Sequence, residues 1–346
     1  MIMETVLVTG AGGYIGSVLV PKLLNKGYHV KAVDRFYFGS DKLSQHPHLE
    51  LINEDVRRLQ PSLFTNVDYV IDLAAVSNDP SGDIFEKATW EINHQARVQS
   101  ATLAKQQKVK RYILPSSCSI YGFQKGAVDE TAKTNPLTTY AKANEKAEKE
   151  ILPLATDDFT VTVMRQATVY GYSPRMRFDL AINGMVYGAW KDKCIPLMRD
   201  GTQYRPMVHV QDTTDVMVLL LQADASEING QIINVGCEEQ NYQLQPLGQL
   251  IAEVVGQKLD EKIAIEWYGD PDHRSYYVSF DKIKRILNWQ PQWDAAKGAV
   301  ELIEKLKNNQ LQKTAETITL NWYQELEKWH RILQPVIKYD GILNIK

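Results

Sequence analysis

Three glycines, Gly10, Gly13 and Gly16, stand at regular spacing directly after a short apolar run, Thr5 to Thr9. In a turn from strand to helix each has a use. Gly10 permits the tight turn, Gly13 lets the backbone approach a pyrophosphate, and Gly16 lets the helix pack closely on the sheet. Tyr14 and Ile15, between the last two, open a helix whose free N–H groups and positive dipole end suit phosphate. The next apolar run, His29 to Asp34, ends in a carboxylate. Asp34 there accepts hydrogen bonds from the adenosine ribose hydroxyls and repels a 2′-phosphate, so the pattern predicts NAD in preference to NADP. Arg35 beside it softens that preference. A glycine triplet alone is weak evidence; placed after a strand, before a helix and ahead of this acid, it is strong.

The elements that must hold this loop follow from the rest of the pattern. Predicted strands cover Thr5–Thr9, His29–Asp34, Leu49–Asn53, Val67–Leu73, Arg111–Pro115 and Thr160–Arg165, with helices over Gly13–Lys26, Ile84 to about Gln107, and Thr139–Leu152. Such alternation implies a Rossmann-type α/β fold, a doubly wound parallel sheet. After Gly171 the pattern loosens into a smaller C-terminal α/β part with helices near 178–190, 211–223, 245–257, 279–288 and 294–308, and strands near 194–198, 207–210, 231–235 and 263–267. We expect a dinucleotide-binding domain over 1–170, a mainly substrate-binding domain over 171–312 interleaved with it, and a C-terminal helix and tail over 313–346. That last helix is amphipathic and is expected to pack on the body.

The 346-residue chain is ordinary in composition, with 44% hydrophobic and 23% charged residues and a formal net charge of −3. No basic balance argues for nucleic acid as a partner. No run reaches the roughly 18 apolar residues of a membrane helix, and the N-terminus does not read as a signal peptide. Cys118, Cys194 and Cys237 are odd in number and widely spaced, which predicts neither disulfides nor a metal site and makes a reducing cytoplasm the default. His46 and His48 flank Pro47 in a polar loop and are not read as metal ligands.

Several further motifs resemble the extended short-chain dehydrogenase/reductase family, in particular its nucleotide-sugar epimerases and dehydratases. Gly10-x-x-Gly13-x-x-Gly16 is that family's glycine pattern. Asp55-Val56 is similar to its adenine-contacting pair, Leu73-Ala74-Ala75 to the strand end beside the dinucleotide, and Asn93 to the Asn of the following helix. Ser116 to Gly122 resembles the strand that carries a catalytic hydroxyl. The stretch from Arg205 to Asp212 resembles the segment whose arginine meets a diphosphate. The resemblance spans roughly 4–308. It implies an NAD-dependent enzyme acting on a nucleotide-diphosphate sugar, and by family habit a homodimer.

The resemblance also implies a catalytic site. Tyr140 would exchange a proton with a sugar hydroxyl, and Ser117 would hydrogen-bond the same oxygen. The family then expects a lysine four residues after the tyrosine, and this chain has Asn144. A tyrosine of pKa about 10 is only about 0.1% ionised at pH 7, and the lysine's charge helps correct that. Asn144 brings no charge, although it can still bond the nicotinamide ribose. Lys142 and Lys146 lie roughly 200° and 240° around the helix from Tyr140, on a solvated face with Glu145, Glu148 and Lys149. The expectations are therefore a weaker base, a base supplied elsewhere or an altered reaction, or else a tolerated substitution with modest loss, with Asn144→Lys raising activity or shifting the alkaline limb of the pH–rate profile downward. The family's 4,6-dehydratases carry Asp-Glu directly after the catalytic hydroxyl, where this chain has Cys118 and Ser119, so dehydration is disfavoured. Cys118 itself reads as a packing residue.

On the substrate side Arg205, then Arg274, are expected at the diphosphate. Arg175 and Arg177 could clamp phosphate or close over the sugar, and Ser77, Asn78 and Thr168 would line the sugar pocket. The reading is epimerisation at C4 through a keto sugar. A sugar-nucleotide dehydrogenase or 4-keto reductase is the alternative, and a non-catalytic NAD-binding sensor a more distant one.

Overall fold

The computed structural model describes residues 3–270 and 274–334, so Pro271, Asp272 and His273 and the tail from 335 lie outside the described residues. Seven strands form one sheet: β1 (Thr5–Thr9), β2 (His29–Asp34), β3 (Leu49–Asn53), β4 (Tyr69–Asp72), β5 (Arg111–Ser117), β6 (Thr160–Gln166) and β7 (Gln231–Val235). Their order is β7-β6-β5-β4-β1-β2-β3 and every neighbouring pair is parallel. The order changes direction between β1 and β4, and in such sheets a crevice opens beyond the carboxyl ends of those strands. The central strands are buried on both faces, which is why they read as unbroken apolar runs. The fold is the expected Rossmann-type doubly wound sheet.

The helices that flank the crevice are α1 (Gly16–Asn25), α2 (Asp79–Ile84), α3 (Glu86–Trp90), α4 (Arg97–Gln106) and α5 (Thr139–Ile151). Helix α1 starts at Gly16, after the glycine turn and not at Gly13. The single helix expected from Ile84 is replaced by a broken series. Asn78 caps α2 by accepting from the Ser81 amide at 2.8 Å, with Pro80 in the first turn, so that helix begins five residues early. Phe85 then leaves helical geometry (φ −105°, ψ 49°), and a wide π turn, Glu91–Ala96, joins α3 to α4.

The second half adds α6 (Ala181–Asp192), α7 (Val210–Gln222), α8 (Leu244–Leu259) and α9 (Ala295–Lys307). Ile182 and Val186 of α6, Leu247 and Ile251 of α8, and Leu302 and Ile303 of α9 form a separate apolar cluster. Small sheets complete it. Tyr204–His209 lies between Thr168–Tyr170 and Asn241–Gln243, and Cys194–Met198 pairs with Ala264–Tyr268. Phe123–Val128 pairs with Ser275–Val278, a strand pair that the glycine-bearing, non-alternating run from Phe123 does not announce. The last helix, α10 (Thr319–Leu333), begins after a turn capped by Thr314 and packs on the body. Among the described residues no helix is long and apolar enough to cross a membrane.

Candidate active site

A cleft of about 1440 Å³ lies across the carboxyl edge of the sheet and reaches into the second half. Single-ligand pockets run to about 1,000 Å³, so this cleft has room for a dinucleotide and a second nucleotide-sized ligand together.

Its floor is the glycine loop. Gly10 has a positive φ of 65°, and a Cβ on it would meet the Ala74 amide nitrogen at 2.8 Å. A Cβ on Gly16 would meet the Ala11 carbonyl oxygen at 2.6 Å, so α1 can start this close to the loop only from a glycine. No side chain caps α1 at Ile15; the Ser17 and Val18 amides donate to the Gly13 and Ile15 carbonyls at 3.0 and 3.1 Å, which leaves the Ile15 and Gly16 amides to a ligand. Asp34 accepts from the Gly12 amide at 3.0 Å and the Phe36 amide at 2.7 Å, and burial raises its pKa against those bonds. A carboxylate has about four lone-pair sites, so it retains capacity for ribose hydroxyls. Leu73, Ala74, Ala75, Val56, Tyr14 and Ile15 also line this end. These residues fit the adenosine and pyrophosphate of NAD.

Four of the expected contacts are already engaged within the protein: Asp55, Arg35 and Tyr14 line the cleft, and Asn93 does not. Asn93 is fully buried outside the cleft wall and bonds the Val76 backbone twice, accepting at 2.8 Å and donating at 3.0 Å, so it shapes the loop after β4. The Asp55 carboxylate is gripped by Arg57 and by Arg35 at 2.7 Å, and the Arg57 bonds hold it well below the usual carboxylate range. Arg35, so engaged, lies over the Tyr37 ring at 5.0 Å. Tyr14 donates to the Gly171 carbonyl at 2.6 Å and accepts from Asn183, and burial pushes its hydroxyl up.

Ser117, at the end of β5, and Tyr140, in the first turn of α5, both line the cleft, and the Ser117 side chain is near enough to favour the Tyr140 phenolate. Thr138 caps α5 by accepting from Ala141 at 3.2 Å and donates to Asp79 at 2.6 Å, which fixes where Tyr140 emerges. Burial raises the Tyr140 pKa, while the Arg97 cation and the Ser117 and Asn144 side chains oppose the rise and Asp79 adds to it. Asn144 is buried behind the cleft wall. Its Oδ1 accepts from Arg97 Nη1 at 2.9 Å and its Nδ2 makes no close hydrogen bond. Lys142 and Lys146 are exposed as expected, Lys146 pairing with Glu150. Glu148 is not on that face. It is buried, accepts from Ser116 and pairs with Arg165 at 2.8 Å, tying α5 to β6. Cys118 is buried and its thiol is pushed up by burial, as befits a packing residue.

The substrate-side residues also line the cleft, except that their charges are already partly engaged. Arg177 pairs with Asp179 at 2.8 Å and donates to Ser77 Oγ at 3.2 Å, while Asn78 Nδ2 donates to Asp179 at 2.9 Å. Arg274 pairs with Asp79 and also contacts Arg205 through its carbonyl. Arg175 is buried over the Phe38 ring at 3.6 Å and bonds Thr319 at 3.0 Å. Burial and the neighbouring Arg177 bring its pKa down to about 10. Thr168 lines the cleft beside Gln166.

Sequence reasoning missed Arg97, Asp79 and Tyr323. Arg97 could have been found, because it stands four residues after Asn93 and so on the same helical face. Tyr323, from α10, lines the end of the cleft near Asp34 and packs against Phe38, Tyr37 and Phe85 with ring centroids at 5.7, 6.4 and 6.2 Å.

A glycine-cradled dinucleotide site joined to a Ser–Tyr hydroxyl pair defines a hydride-transfer protein of the Rossmann class. The model of the NAD dependent epimerase/dehydratase family matches residues 6–236, and the chain belongs to that family. Curated relatives include a protein of Bacillus subtilis (strain 168) described as an uncharacterized UDP-glucose epimerase, 25% identical over 88% of this chain and 98% of its own length. UDP-glucuronic acid decarboxylase 1 of Danio rerio is 26% identical over 83% of this chain and 69% of its own. Among solved structures, UDP-glucuronic acid 4-epimerase from Bacillus cereus, in complex with UDP-glucuronic acid and NAD, superposes with a TM-score of 0.79. It is 24% identical and covers 88% of this chain and all of that one.

Proposed function

We propose that the chain is an NAD-dependent epimerase that inverts C4 of a nucleotide-diphosphate hexose. The observation that carries this reading is that Ser117 and Tyr140 line the same cleft, the one side chain favouring the phenolate of the other, with no carboxyl group at positions 118 and 119. When bound, NAD supplies the hydride acceptor and donor at the sugar carbon. Tyr140 takes the proton of the C4 hydroxyl at its own oxygen and later returns it, while Ser117 holds the same sugar oxygen by a hydrogen bond. Elimination of water would need an acid and a base near the ring. Cys118, buried and with its thiol pushed up, and Ser119 supply neither. Relatives named as 4-epimerases favour the C4 assignment. Arg205, Arg274, Arg175 and Arg177 are the proposed phosphate and sugar contacts, and Ser77, Asn78 and Thr168 the sugar-pocket lining. A cytoplasmic homodimer is part of the same proposal.

The test is a panel of UDP-, GDP- and dTDP-hexoses and UDP-glucuronic acid, incubated with the purified protein and followed by proton NMR. We expect a C4 epimer to form without added NAD and without build-up of NADH, and Tyr140→Phe to slow it by about 10²–10⁴-fold. Net oxidation with stoichiometric NADH, or loss of carbon dioxide from the glucuronate, would overturn the assignment in favour of a dehydrogenase or a decarboxylase.

A further inference from the structure

The chain lacks the lysine that its family's spacing places at position 144, yet the structure puts a cation in the same neighbourhood. Arg97, the first residue of α4, is 3% exposed and reaches the cleft wall. Its Nη1 donates to Asn144 Oδ1 at 2.9 Å, its Nε to the Ala74 carbonyl at 3.2 Å, and its Nη2 lies 3.5 Å from the Asp72 carbonyl. Among the described residues no carboxylate forms an ion pair with it, in contrast to Arg165, which Glu148 neutralises. The nearest buried acid of β4, Asp72, spends its carboxylate on the Thr9 and Tyr112 hydroxyls.

We propose that Arg97 is the cation that serves Tyr140, and that Asn144 is its anchor, so that the two together replace the lysine of the family pattern. The role rests on the reading of Tyr140 as the proton-transfer group, and it makes Arg97 a positioning residue that acts on Tyr140 from α4. Three features of the pair fit it. A guanidinium stays protonated when buried, which an ammonium does not readily do. Its planar fork can hold the Asn144 and Ala74 oxygens at once. An asparagine at 144 meets it with a carbonyl on one side and presents Nδ2, which has no close partner, on the other. A lysine at 144 would set a second cation against the first.

The charges that face Tyr140 from its surroundings can be named. Arg97 comes from α4, and Asp79 from α2 with its carboxylate tied to Arg274; Ser117 and Asn144 contribute dipoles from β5 and α5. Of these, Arg97 is the group that favours the phenolate through charge, and Asp79 opposes it.

The experiment is a titration of the full chain, loaded with NAD and labelled with ¹³C at the tyrosine Cζ, from pH 7 to 11, with Tyr140→Phe assigning the Tyr140 signal. No sugar is present, so absence of turnover on the hexose panel would sink the functional reading without affecting this one. For Arg97→Met we expect the Tyr140 midpoint to rise by about one pH unit, a tenfold smaller phenolate fraction at fixed pH. Arg97→Lys should keep it near the wild-type value. The double variant Arg97→Met with Asn144→Lys should recover most of the shift, because it returns the cation to α5. Asn144→Lys alone should lower the melting temperature and bring no gain. A midpoint unmoved by Arg97→Met, a wild-type Tyr140 that does not titrate below pH 11, or a gain in Asn144→Lys alone overturns the proposal. If Arg97→Met does not fold, the double variant decides: a wild-type midpoint supports the exchange of cations, and a raised one refutes it.

Discussion

At the scale of single residues the proposed cofactor end of the site turns on Asp34. Its pKa is raised because burial disfavours the carboxylate more than the Gly12 and Phe36 amides favour it. Without cofactor, the stability linked to this group is full below its unfolded pKa and is lost as pH rises through the raised folded value. Ribose hydroxyls donate to the ionised form and reverse the preference. NAD should therefore bind more tightly above the raised pKa and weaken as pH falls through it. Calorimetric Kd values between pH 4.5 and 8 should show that slope in the wild type and lose it in Asp34→Asn. The same substitution should weaken binding at pH 7.5 by about tenfold or more, the worth of a hydrogen bond to a charged group at roughly 1.5–3 kcal/mol. Identical profiles for the two proteins would remove Asp34 from the ribose. The sequence shows Asp34 plainly, since an acid at the end of β2 is a local signal. It shows the loss of lysine at 144 equally plainly and hides the remedy, because Arg97 meets Asn144 across 47 residues of chain.

At the scale of elements, the parts with strong periodicity were legible and those set by single caps or by packing were not. Buried parallel strands such as β6 declare themselves as apolar runs, and α5, α7 and α9 as amphipathic stretches. The break between α2 and α4 depends on Asn78 and Pro80 starting one helix and Phe85 ending it, which a search for helical period passes over. Helix α10 was visible, with its aromatic face, yet not its place. Trp322 donates to the Tyr37 carbonyl at 2.6 Å, and Tyr323 enters the cleft beside Asp34. An edge-on aromatic contact contributes about 0.5–1.5 kcal/mol, and Tyr323 makes two of them, with Tyr37 and Phe85, beside a tilted one with Phe38. Tyr323→Ala should therefore speed NAD dissociation by roughly tenfold, read by stopped-flow displacement with an NAD analogue. An unchanged dissociation rate in a variant that keeps α10 folded would show that the helix only covers the surface and does not hold the cofactor.

At the scale of the whole molecule, the glycine loop is stitched to the segment that leads into the second half. Tyr14 donates to the Gly171 carbonyl at 2.6 Å, Ser17 and Ser173 hydroxyls lie 2.9 Å apart, and Ser173 donates to the Tyr14 carbonyl at 2.7 Å. β7, from the second half of the chain, also completes the first sheet. A ligand that orders the loop at β1 is thus tied to the packing of both halves of the chain, and its binding energy should appear in the unfolding of the entire chain. NAD at a hundredfold excess over its Kd adds about 2.7 kcal/mol to the folded state. For a chain of this size that is a rise of roughly 4 °C in melting temperature. NADP at the same concentration should give far less, because Asp34 repels the 2′-phosphate and Arg35, held by Asp55, is not placed to receive it. Differential scanning calorimetry checks both points. The NAD-loaded protein should melt in one transition shifted upward as a whole. Two transitions of which only one moves would separate the halves that these bonds join, and an equal shift with NADP would mean that Arg35 leaves Asp55 to take the phosphate.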